Sequence, residues 1–116
     1  MALDRTLELR ERVGNSNDAD FIMENIIELF TEQELVPDTG LYYTFVYIPK
    51  TPNITYDQYP LVAVTGIFQW GFRGINYHWR SYRNYTWAEI VGQLHRVYHG
   101  ELDYMRDLSY EKMLTK

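Results

Sequence analysis

The run Pro37-Asp38-Thr39-Gly40 divides the chain into two stretches with different periodicities, and this division constrains the fold more than any other feature. Upstream of it, apolar residues recur at helical intervals. Leu3, Leu7, Leu9 and Val13 lie among charges and predict a short amphipathic helix that stops at Gly14-Asn15. From Asp20 to Glu34, Ile22, Met23, Ile26, Leu29 and Phe30 form one stripe and Glu24, Glu28 and Glu32 another, with Asn17 or Asp18 placed to accept the free amides at the helix start. Downstream, Leu41 to Ile48 is rich in aromatic and β-branched residues, which suit a pleated surface. Leu61 to Phe68 predicts a second strand with a bulge at Gly66. Gly71 to Trp79 predicts a third, joined to the second through Gln69-Trp70-Gly71 as a hairpin. In that third strand, alternation places Ile75, Tyr77 and Trp79 on one face and Phe72, Asn76 and His78 on the other. Pro49 to Pro60 carries three prolines and reads as a loop.

Thr86-Trp87-Ala88-Glu89 has the spacing of a capping box and predicts a helix to about Tyr98 that buries Ile90, Val91, Leu94 and Val97 and stops at Gly100. Glu101 to Lys116 alternates charges with Leu102, Met105, Leu108 and Leu114, as a short helix does, or a tail that orders against a partner. The expected class is α+β: a small antiparallel sheet of three or more strands with two N-terminal helices and one C-terminal helix. Three regions follow: an acidic helical arm at 1–40, an α+β body at 41–100 and a charged tail at 101–116.

With 116 residues and a hydrophobic fraction of 46%, the chain suits one folded domain with a single core. It has no cysteine, so disulfides and thiolate chemistry are excluded. No apolar run approaches the roughly 20 residues of a membrane span, and the charged Met1–Arg12 segment lacks the apolar core of a signal peptide. The expectation is a protein neither secreted nor membrane-embedded. The net charge of −5 is unevenly spread, at −7 over residues 1–40, +3 over 41–100 and −1 over 101–116. An acidic arm beside a basic, aromatic body suggests self-complementary packing between copies, an arm held on its own body, or simply solvated helix faces.

Catalytic signals are weak. On the expected C-terminal helix His95 and His99 would share a face, but no further ligand accompanies them and no cofactor is expected. Asp57 is the only acid between Gly40 and Trp87 and reads as a turn former. Ser81 and Ser109 lack a glycine-flanked elbow, and Gly66, Gly71 and Gly74 do not lead into a helix N-terminus. An enzyme is not expected. The densest constellation is Trp70 to Trp87, where three arginines and one histidine are interleaved with seven aromatics. Its candidate contact residues are Trp70, Arg73, His78, Arg80, Tyr82 and Arg83. Such a mixture serves hairpin and core packing, a protein interface built on aromatic and arginine anchors, or stacking and phosphate contacts to single-stranded nucleic acid.

Tyr56-Asp57-Gln58-Tyr59-Pro60-Leu61-Val62, followed by Gly71-Phe72-Arg73-Gly74-Ile75-Asn76-Tyr77-His78, resembles a segment of small virion structural proteins of contractile-tailed bacteriophages. The likeness spans about 23 residues and leaves the arm and the tail outside it. It implies a structural or assembly role in the tail, baseplate or neck of a particle put together in the host cytoplasm. The implied partners are other virion proteins or copies of the chain itself. The alternative from another class is a small nucleic-acid-binding β domain using the same cluster.

Overall fold

The computed structural model describes residues 5–49, 56–108, 110 and 113–114. Two helices open the chain. Helix α1 runs Arg5–Val13 and buries Thr6, Leu9 and Val13, whereas Leu7, expected on the apolar stripe, faces outward; Leu3 lies outside the described residues. Helix α2 runs Ala19–Leu29, and Asp18 Oδ1 accepts the amides of Asp20 at 3.1 Å and Phe21 at 3.3 Å, the expected N-cap. It ends five residues before Glu34 because the next carbonyls are taken by another element. His95 Nδ1 meets the Phe30 carbonyl at 2.8 Å, and the Arg96 amide donates to the Glu32 carbonyl at 2.9 Å. Gln33–Glu34 is thereby a short strand, β1.

The remaining strands are β2 (Tyr42–Tyr47), β3 (Tyr56–Asp57), β4 (Leu61–Ile67), β5 (Gly71–Asn76), β6 (Ser81–Thr86), β7 (Ile90–Val97) and β8 (Met113–Leu114). Six of them form one sheet in the order β1-β7-β2-β4-β5-β6, antiparallel throughout, and β3 pairs with β8 in a small ribbon. The hairpin from β4 to β5 and the irregularity at Gly66 stand where the sequence places them; the register shifts between Val64 and Gly66. Residues 50–55 of the expected loop lie outside the described residues, and its end, Tyr56–Asp57, is strand β3. The α+β class, the antiparallel sheet, two helices at the N-terminus and one near the C-terminus are all present.

The C-terminal helix, however, is not where the capping box placed it. Residues Ile90–Val97 form strand β7, and helix α3 is Leu102–Asp107. Thr86 makes no side-chain cap; its hydroxyl meets the Glu89 carboxylate, which also accepts Tyr47 Oη–H at 2.9 Å. Only a single 3-10 turn, Trp87–Glu89, forms. Leu94 and Val97, three apart, were read as one helix face, but in a strand they point to opposite faces, and here both faces are buried. Gly92, at φ +79°, is unfavourable within a helix and marks a register shift between β7 and β2.

The third strand also stops early. The Asn76 side-chain oxygen accepts the amides of His78 at 2.9 Å and Trp79 at 3.0 Å, which turns the chain, so the expected alternation ends at Asn76. Arg80 completes the turn at φ 56°, and β6, unanticipated by the sequence, returns along β5.

Two clusters of buried side chains lie on opposite faces of the sheet. On the outer face α1, α2 and α3 pack Leu9, Ile22, Ile26 and Met105 against Leu61 and Val97, joined by Tyr110. Side chains from residues 1–40, 41–100 and 101–116 thus share one core. The inner face has no helix over it. Tyr43, Phe45, Tyr47, Val62, Val64, Phe72, Tyr85 and Leu94 instead pack on one another. Tyr47 and Tyr85 sit on β2 and β6, three strand spacings apart, about 14 Å in a flat sheet, yet their ring centroids are 5.0 Å apart. The sheet is therefore curled into a partly closed barrel, and the 3-10 turn carries the chain from β6 to β7.

Candidate interaction surface

The curl requires a close approach of β5 to β4. A Cβ on Gly74 would lie 2.2 Å from Val62 Cγ1 and 2.5 Å from the Ala63 carbonyl oxygen, and one on Gly71 would lie 1.8 Å from the Tyr85 carbonyl oxygen. Glycine at these two positions lets the β5–β6 hairpin wrap over the inner core, with Phe72 and Tyr85 facing inward. Alternation then turns Arg73, Ile75, Tyr82 and Asn84 to the outer face. In the β5–β6 register Arg73 pairs with Asn84 and Ile75 with Tyr82. Helix α3 reaches the edge of this half of the outer face through Arg106, beside Ile75 and Arg80, while Arg73, Tyr82 and Asn84 stay exposed, and β6 is a terminal strand of the sheet.

The six sequence-derived contact residues separate into two groups. Four share the exposed side. Arg73 Nε donates to Asn84 Oδ1 at 2.9 Å, and its guanidinium stands 5.7 Å from the Phe68 ring centroid. Phe68 is stacked on Trp70 at 5.1 Å with the planes 4° apart. Tyr82 is 66% exposed, among the most open large side chains of the protein. Arg80 lines a shallow recess of about 180 Å³ with Ile75, Tyr77 and Arg106. The other two depart. Arg83 shares the inward side of β6 with Tyr85, its guanidinium 6.0 Å from the Trp79 ring centroid. His78 is half-buried, its ring edge-on to Tyr110 at 5.0 Å and both ring nitrogens shielded without a hydrogen bond among the described residues. Loss of solvent pushes its pKa down to about 4, so at neutral pH it is an uncharged packing group.

The electrostatics of this face are lopsided. Residues 58–88 contain three arginines and no acid. Among the described residues none of Arg73, Arg80 and Arg83 has a carboxylate within ion-pair distance, whereas Arg5, Arg12 and Arg106 do. Exposed aromatic surface beside unneutralised guanidinium is the composition of interface anchors.

Other groups singled out in the sequence take structural places. His95 is buried and held by the Phe30 carbonyl, while His99 packs beside Tyr42 at 5.8 Å. Among the described residues no three His, Asp or Glu side chains gather as metal ligands, and no helix is long and apolar enough to cross a membrane. Ser109 lies outside the described residues. Asp57, read as a turn former, is 4% exposed; it accepts from the Asn76 amide and the Trp79 indole, and Asn76 also donates to Tyr85 Oη at 3.1 Å. Its isolation amid aromatic residues was the available signal. The sequence also does not reveal a groove of about 390 Å³ beside α2, lined by Asp20, Met23, Glu24, Ile27, Val46, Gln58 and Tyr59. Tyr59 donates to the Asp20 carboxylate, and burial followed by that acid pushes its pKa up. No protein-family model, curated protein or solved structure matches the chain.

Proposed function

We propose that the chain is a non-enzymatic structural or assembly component of a bacteriophage particle, in its tail, baseplate or neck, and that it works by protein–protein contact through the exposed outer face of β5 and β6. The observation that supports this is the exposed set of Arg73, Arg80, Tyr82 and Trp70 at the terminal β5–β6 hairpin, whose arginines have no carboxylate within ion-pair distance among the described residues. A sheet face of that kind gains by burial under another surface, and aromatic and arginine side chains provide the anchors. The motif of residues 56–78 ties this mode of action to virion proteins. Competing against it is single-stranded nucleic acid, which uses the same residue types but needs a concentrated positive field, and the chain as a whole is acidic.

The test is the double variant Arg80→Ala and Tyr82→Ala, supplied in trans to an infection lacking the wild-type chain. The expected result is an unchanged melting temperature with roughly 30-fold or greater loss of affinity for the particle, read as the chain's absence from purified virions. Absence of the wild-type chain from virions overturns the reading. Oligonucleotide binding that weakens steeply with salt, and is lost in the variant, transfers the surface to nucleic acid.

A further inference from the structure

The surface most complementary to the β5–β6 face is on the chain itself. Residues 13–49 contain seven acids and no lysine or arginine, the mirror of the acid-free stretch 58–88. Helix α2 displays much of that charge. Its outward residues Asp20, Glu24 and Glu28 flank exposed Phe21 and Ile27. The groove beside it combines the Asp20 and Glu24 carboxylates with the apolar walls of Met23, Ile27 and Val46. On the other side stands Tyr82, the most exposed aromatic of the constellation, on a face that also carries Arg73 and Arg80. An acidic groove with an apolar floor and an aromatic knob flanked by guanidiniums match in both charge and polarity.

We infer that the α2 groove of a second copy of this chain covers the β5–β6 face, with Tyr82 entering the groove and Arg73 and Arg80 meeting Glu24 and Glu28. The contact joins two different surfaces, so each copy offers one of each, and the rotation between copies decides whether the series closes. A helix laid over Arg73 and Tyr82 also extends the layer that α3 begins at Arg106. Arg12, which meets Glu28 at 2.7 Å, shares that carboxylate with the incoming guanidinium. This inference rests on the protein–protein reading of the same face and names its partner.

Sedimentation velocity on the full chain tests it. The expected mass rises with concentration up to on the order of 100 µM and falls back when salt shortens the screening length to about 3 Å near 1 M. Two charge-reversed variants, Glu24→Arg with Glu28→Arg and Arg73→Glu with Arg80→Glu, should each remain monomeric with near-normal melting temperatures. Mixed in equal amounts they should assemble, because both the native and the reversed pairing become available. Tyr82→Ser, a neutral change at an exposed site, should weaken association at least tenfold and guards against misfolding of the reversed pairs. A wild-type chain that stays monomeric, a mixture that stays monomeric while both variants are folded, or undiminished association of Tyr82→Ser overturns the inference. A monomeric wild type whose entry into virions still depends on Tyr82 removes the second copy as partner and leaves the protein–protein reading standing.

Discussion

His78 illustrates how far a residue's role can depart from its composition class. Beside Trp79 and Arg80 in the sequence it looks like part of a charged contact surface, yet its ring is packed against Tyr110 with neither nitrogen bonded among the described residues. Burial lowers its pKa from 6.5 to about 4. Between those values the unfolded chain binds a proton that the folded chain refuses, so stability is lost as pH falls from about 6.5 toward 4 and is unaffected by this group above that window. A shift of that size corresponds to roughly 3 kcal/mol. His78→Phe, which keeps a ring against Tyr110, should flatten the dependence of the urea midpoint on pH in that interval; an unchanged slope would remove His78 as the source. Asp57 and Asn76 show the opposite case, polar groups that stay buried because each has partners in Trp79, Tyr85 and one another.

Among the elements, α1 depends most on a single side chain. Arg5 Nε and Nη2 meet both carboxylate oxygens of Glu101 at 3.0 and 2.7 Å, Nη2 also reaches the Arg96 carbonyl, and the guanidinium lies 4.1 Å from the Phe30 ring centroid. Glu101 in turn accepts the Tyr98 amide at 2.8 Å. The pair is mostly shielded, with 15% and 14% side-chain exposure, so removing one partner strands the other. Arg12, by contrast, makes its two ion pairs in solvent. Arg5→Ala should therefore cost about 2 kcal/mol or more in chemical denaturation, and Arg12→Ala about 0.5 kcal/mol or less. Equal losses would show that α1 is held by its apolar face alone. In β7, pairing on both sides outweighs a local capping signal: β1 and β2 supply ladder partners and the two faces of its buried second half, Leu94–Val97, supply packing, which one isolated helix turn cannot match.

At the scale of the molecule the helical arm is inseparable from the sheet. Leu9, Ile22, Ile26 and Phe30 from before Gly40, and Leu102, Met105 and Tyr110 from after Gly100, are in the same buried cluster as Leu61 and Val97. A fragment of residues 41–100 keeps the inner cluster but exposes the entire outer one. It should show no cooperative thermal transition and no near-ultraviolet dichroism, whereas the full chain shows both. A folded fragment would mean that the inner cluster alone outweighs chain entropy. The charge asymmetry belongs to this scale too, since the acidic helices and the basic hairpin end on different parts of one surface.

Local patterns carried much of this in the sequence. The α+β class, the Asp18 cap, the start of β2 near Tyr42, the β4–β5 hairpin and the bulge at Gly66 depend on periodicity or turn chemistry within a few residues, which a linear reading captures. Trp70, Arg73, Arg80 and Tyr82 were contact candidates by residue type alone, and their exposure is a finding of the structure. What lay outside such a reading depends on neighbours distant in the chain. Whether Ile90–Val97 is helix or strand was decided by β1 and β2, up to 62 residues away, and the inward turn of Arg83 and burial of His78 by the curl of the sheet and by Tyr110. Sequence determined where regular structure starts and which residues can be inside. Only the tertiary structure decided which face each side chain met, because in a strand buried on both faces an apolar spacing of three fits a helix equally well.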